Sequence, residues 1–256
     1  MVCVSLACLG IESPALKKIK DEDYFILVGL INRCGRLMHS NVALSHEGKF
    51  GETTSILDRC IFESCVILGW LCRTSNDDRF NRYIANGLRT EIEFKAEIEK
   101  NIETRDKNQL KIEKRMLSSI DRCINDSGLS EEEISGTKKL PDLASMINAT
   151  GKPRLQYLVG QRIGSHHVHG SWVSLGVHYL ERDDSGIKGP RDHDCDTHVN
   201  QYVYIPLVVL DAMSAFCLFV FEDSADSKVL TDMLESIADE IFKINSEVIG
   251  DDFAGA

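Results

Sequence analysis

The run from Tyr202 to Phe221 is apolar almost throughout, interrupted by Pro206 and Asp211. A stretch of that length either spans a bilayer, which takes about 20 apolar residues, or lies in a protein core. A carboxylate near its middle is costly in lipid. No other segment of the chain qualifies as a span, so the expectation is a buried helix at the centre of a bundle. The rest of the chain must then supply amphipathic elements to cover it and partners for Asp211.

The sequence supplies such elements. From Asp21 onward, Phe25, Val28, Leu30, Ile31, Cys34, Leu37 and Met38 recur at helical intervals. Asp21 and Asp23 suit the positive end of a helix dipole, and His46-Glu47-Gly48 marks its end. A second helix is predicted over Glu52–Cys72. Its apolar residues run wide enough to bury it on more than one side. Arg59 and Glu63 stand four apart on this helix and share a face. They form either a structural ion pair or a support that orients groups of a site carried by another helix.

The Glu-, Lys- and Arg-rich stretch from Arg89 to Arg115 predicts a long inserted charged helix, or a helical hairpin breaking at Thr104–Asn108. Ser130-Glu131-Glu132-Glu133 has the form of a capping box. Pro141 opens a short helix that Gly151 ends, and Leu155, Leu158 and Val159 point to one more helix. Val173–Tyr179 is extended or helical, Glu181–Asn200 reads as a polar loop, and Ser227–Ile249 carries a last apolar stripe. The expected fold class is therefore all-α: an N-terminal arm over residues 1–20 and one helical domain over 21–256.

Composition narrows the function. The net charge of −11 argues against broad, non-specific binding to duplex DNA, though not against a small basic site. Nine cysteines, odd in number and without a C-x-x-C pair, indicate a reducing, cytoplasmic setting and no disulfide framework. Against that acidic background, no Asp or Glu occurs from Leu143 to Leu180, where roughly six would be expected. The gap holds Lys152, Arg154, Arg162 and four histidines.

The densest part of the gap is Arg162-Ile163-Gly164-Ser165-His166-His167-Val168-His169-Gly170-Ser171-Trp172. On a continuous α-helix, at about 100° per residue, His166 and His169 fall about 40° and 20° from Arg162, and His167 points elsewhere. Histidine moves protons near neutral pH, and arginine's planar fork holds a phosphate. Arg162 with His169, and His166 nearby, is thus a candidate phosphodiester site. Ser165 is placed to bond His169 or the phosphate, and Lys152 and Arg154 to bind substrate.

The elements around Arg59–Glu63, Tyr83 and Arg162–Ser171 resemble a bacterial family of uncharacterised helical proteins, the domain of unknown function 5677, over roughly residues 50–220. In that resemblance Ser165, His169, Gly170 and Ser171 fall in a Ser-x-x-x-His-Gly-Ser element. The arginine–histidine element is also similar to the HEPN signature, in which four to six residues separate the two. His167 and His169 both satisfy it; helix geometry favours His169. The residue after the arginine is often polar in that signature, and here it is Ile163.

The HEPN likeness implies a helical bundle and a homodimer whose motifs face each other. It implies metal-independent cleavage of RNA without a cofactor, in a toxin–antitoxin or phage-defence setting with a possible antitoxin or regulatory partner. Some members of that group are inactive binding modules, so a non-catalytic interaction or regulatory module is the main alternative. A metal-dependent hydrolase using His193, Asp194, Cys195, Asp196 and His198 is another. A serine hydrolase using Ser165 or Ser171 has no nucleophile-elbow sequence to support it.

Overall fold

The computed structural model describes residues 19–45, 48–75, 78–191, 196–197, 200–222 and 224–249. The arm predicted over 1–20 lies almost wholly outside them. The chain groups into two compact units, Ser75–Asp142 and the remainder, where the sequence alone suggested a single domain from residue 21.

The larger unit is built around α2 (Gly51–Arg73). It packs against α1 (Asp21–Leu44) and α10 (Asn200–Phe221), and α10 in turn carries α11 (Ala225–Ile249). Ile61, Phe62, Leu68 and Leu71 of α2, Leu27 and Ile31 of α1, and Phe216 and Val220 of α10 are completely or almost completely buried. By length and composition Gln201–Phe221 would cross a membrane, but half of its apolar window is buried within the protein. Asp211 is offset there by Arg73 at 2.8 Å and Lys152 at 2.7 Å.

The smaller unit follows local rules closely. Its helices are α3 (Arg79–Thr104), α4 (Lys111–Asp126) and α5 (Glu131–Gly136). The expected break falls where expected, with Asp106 and Lys107 both at positive φ. Ser130 Oγ accepts from the Glu133 N–H while the Glu133 carboxylate accepts from the Ser130 N–H, so the capping box forms. Ala85, Leu88, Ile98, Ile120, Ile124 and Ile134 make its own core. Lys95 spans Asp121 and Glu131 at 2.8 and 2.9 Å. The charged stretch is therefore a helical hairpin.

Two features depart from expectation. The segment after α6 (Leu143–Ala149) is not one α-helix. It runs as α7 (Arg154–Tyr157), a π-helical turn (Leu158–Ile163) and α8 (Gly164–Val168), then α9 (Trp172–Ser174) and a second π turn (Leu175–Tyr179). In addition, the polar stretch taken for loop begins as an antiparallel hairpin, β1 (Leu180–Asp183) with β2 (Gly186–Pro190). Asp183 Oδ1 accepts from the Ser185 N–H and hydroxyl at the turn, and Gly186 takes φ +118°. The exposed residues of β1 give no alternation to betray a strand. The fold class is all-α with this one small sheet among the described residues.

Candidate functional site

The acid-free segment approaches α2 closely because two glycines allow it. A Cβ on Gly160 would sit 2.3 Å from the Phe62 ring, and one on Gly164 would sit 2.8 Å from Arg59 Cβ. This contact brings Ser165 to Arg59, whose Nη1 donates to Ser165 Oγ at 3.3 Å. The same guanidinium pairs through Nε with Glu63 at 2.8 Å, and the Arg59 side chain is only 16% exposed. Arg59 thus makes an ion pair within α2 and a hydrogen bond to the segment that crosses it.

A π turn precedes the histidines, of which His166 and His167 lie in α8 and His169 directly follows it. Hydrogen bonds from i to i+5 turn the chain by less than the roughly 100° per residue of an α-helix. The face expected to carry Arg162, His166 and His169 assumed an unbroken α-helix, and the π turn ends between Arg162 and His166. Arg162 lies in the π turn, and its side chain is outside the described part of the structure.

Gly170, at φ +54°, closes α8 in a Schellman-type end. The Ser171 N–H donates to His166 O at 3.0 Å and the Gly170 N–H to His167 O at 3.5 Å. His169 caps this end with an exposed side chain.

A cavity of about 330 Å³ opens beside the contact of α2 and α8. His166, His167, His178, Arg59 and Asp58 line it, and His169 lies outside its lining. His167, expected to point elsewhere, is therefore brought to the cavity, together with His178, which sequence reasoning did not single out. Their rings meet edge to face with centroids 4.8 Å apart.

Three further residues connect His167 to α2. Ser174, fully buried, donates its hydroxyl proton to Glu52 Oε1 at 2.9 Å. Its single proton being used, Ser174 Oγ accepts from His167 Nδ1 at 3.3 Å. That arrangement fixes the Nδ1–H tautomer, so the neutral ring carries its lone pair on Nε2. Tyr179 donates to the other Glu52 oxygen. Burial, with help from the charges of His178 and His166, holds His167 below the usual histidine range; the Glu52 charge acts in the opposite direction. Ser171, for its part, holds His166 Nδ1 at 2.8 Å.

The acidic side of the cavity is Asp58. Burial pushes its carboxyl up to about 7, against a hydrogen bond from Asn41. Glu52, Asp58 and Ser174 were also missed by sequence reasoning. For Glu52 and Asp58 the only sequence signal was a carboxylate on an otherwise apolar helix, the signal that did draw attention to Glu63; Ser174 carried none.

The remaining candidates lie elsewhere. Lys152 is committed to Asp211, whose carboxyl burial would raise but which hydrogen bonds from Arg73 and Lys152 hold below the usual range. Arg154 is exposed at the start of α7. Of the proposed metal loop, residues 192–195 and 198 lie outside the described residues; Asp196 is described and lines the cavity. Among described residues, no group of three or more metal-type ligands converges.

Neither the curated proteins nor the solved structures contain a match to this chain. A family model does match, over residues 24–187, which takes in Glu52, Arg59 and the whole histidine segment. The chain belongs to that family, DUF5677, a family of unknown function.

Proposed function

We propose that this protein is a metal-independent endoribonuclease whose proton-transfer groups are His167 and His166. The observation that carries the reading is the Glu52–Ser174–His167 chain ending at the cavity. It leaves a neutral imidazole with its lone pair on Nε2, which is the form a general base requires.

In the proposed reaction, His167 Nε2 takes the proton of a ribose 2′-hydroxyl. The 2′-oxygen attacks phosphorus and forms a 2′,3′-cyclic phosphate. The bond to the 5′-oxygen breaks, and protonated His166 supplies that oxygen's proton. A guanidinium, from Arg59 or Arg162, offsets the charge that builds on the phosphate. The HEPN-like pair is then Arg162 with His167, at the shorter of the two permitted spacings.

The same reading includes a cytoplasmic homodimer. It is supported by an exposed apolar surface on the acid-free segment itself, where Leu155 is 65% and Trp172 63% exposed. Leu155, Leu158 and Val159, whose spacing predicts a helix, are all exposed. The toxin or phage-defence setting, with an antitoxin as partner, belongs to the proposal only through the HEPN likeness.

A non-catalytic alternative has one observation in its favour. Much of the cavity wall is apolar, through Val159, Val173, Val177 and Ile205, as in a pocket that retains a small ligand.

The test is cleavage of single-stranded RNA in EDTA by wild type, His167→Ala and His169→Ala. His167→Ala should lose roughly 10²–10⁴-fold in rate, while His169→Ala stays within a few-fold. An inactive wild type, or a folded His167→Ala that cuts normally, overturns the proposal. Activity abolished by EDTA favours the metal-dependent hydrolase instead.

A further inference from the structure

The cavity has a polar end that proton transfer does not use. Gln201 is 6% exposed, and its Nε2 donates to Ser45 Oγ at 2.8 Å. With the amide in that orientation, Oε1 is a buried acceptor with no partner among the described residues. In the same cavity, Asp58 accepts from Asn41 through Oδ1 and retains acceptor capacity, since a carboxylate has about four lone-pair sites. Both residues line the cavity. A buried acceptor without a donor is destabilising, so a ligand that brings donors here gains more than its contacts alone.

The dimensions restrict the ligand. About 330 Å³ is at the lower end of the roughly 300–1,000 Å³ of small-molecule pockets. That space suits one nucleotide rather than a strand. The apolar walls at Val159, Val173 and Val177 suit the faces of a flat ring. Single-stranded RNA presents such rings when its bases splay out of the stack.

We propose that the cavity is a base-recognition pocket for guanine, with the Asp58 carboxylate accepting from guanine N1–H and N2–H and Gln201 Oε1 accepting from the N2 amino group. Guanine alone of the four bases places two adjacent donor groups, a ring N–H and an amino group, on its pairing edge. Adenine and cytosine offer only an amino donor beside ring acceptors, and uracil one N–H. The pocket thus deepens the ribonuclease reading, on which it rests for the source of the base, and makes cleavage guanine-directed.

Calorimetric titration of the full chain with each of the four nucleoside 5′-monophosphates tests this without relying on cleavage. GMP should bind at least tenfold more tightly than AMP, CMP or UMP. Inosine monophosphate, which lacks the N2 amino group and so its bonds to both Asp58 and Gln201, should bind at least about tenfold more weakly than GMP. Asp58→Asn, checked for an unchanged far-ultraviolet circular dichroism spectrum, should lose the preference for GMP. Equal binding of all four nucleotides, no binding of any, or full GMP affinity in Asp58→Asn overturns the proposal. GMP binding by a protein that cuts no RNA keeps the pocket and removes the ribonuclease; cleavage without guanine preference does the reverse.

Discussion

Two polar clusters flank α2, and they are constructed in opposite ways. At one, Arg73 and Lys152 converge on Asp211. Arg73 holds both carboxylate oxygens and also donates to the Asp211 carbonyl at 3.1 Å. At the other, Arg59, His166, His167 and His178 line an open cavity with Asp58. The first cluster is closed: its charges exist because a carboxylate sits on a core helix, and the cations offset it. The second surrounds a cavity large enough for a small ligand. Both draw on the acid-free segment, so a shortage of local acids does not by itself mark a binding site. What matters is whether another element brings the missing acid.

The widest separation between the two should come from Trp172→Glu. It charges the exposed apolar surface next to the open cluster. If that surface pairs two copies, the change should weaken dimerisation by at least about 2 kcal/mol, the scale of an interface hot spot. Light scattering after size exclusion reads the mass, and thermal unfolding of the larger unit should show no loss of packing. A wild type that is monomeric at all concentrations breaks this side of the comparison.

Asp211→Ala should do the converse. It strands Arg73 and Lys152 beside a core helix. The loss should be roughly 1–3 kcal/mol, below the roughly 3–5 for fully buried pairs because about a third of each side chain is wet. Urea unfolding measures it. Mass and RNA cleavage per folded molecule should stay as in wild type; a change in either would mean that the closed cluster communicates with the cavity.

The smallest effect belongs to Glu52→Gln, which sharpens the account of the open cluster. A base must be unprotonated, so cleavage should rise with pH through an apparent pKa below 6.5, the ordinary histidine value. The Glu52 charge raises that pKa, so removing it should move the rise to still lower pH. The plateau rate should fall by about tenfold as Ser174 loses its charged acceptor, about 1.4 kcal/mol. A pH profile identical to wild type would remove Glu52 from the relay.

Much of the framework is legible in the sequence because it depends on neighbours in the chain. The helical period of α1 and α2, the break at Asp106–Lys107 and the Ser130–Glu133 cap follow from spacing and backbone preference. The apolar run of α10 determines the core, and its Asp211 predicts that cations must meet it. The histidine segment also announces itself, and Gly170 ends α8 as its residue type implies.

Only the tertiary structure decided which histidines face the cavity. Gly160 and Gly164 let the segment press against Phe62 and Arg59, and that contact sets which side of α8 meets the cavity. Hence His167 lines the cavity and His169 does not. The carboxylate behind His167 is Glu52, reached through Ser174 across 122 residues of chain. Such a partner is chosen by packing distance, and no local pattern around the histidines encodes it. The sequence alone determined that this chain has a buried bundle and a cluster of histidines. Close packing determined which of those side chains meet, because hydrogen bonds depend on position in space and not on order along the chain.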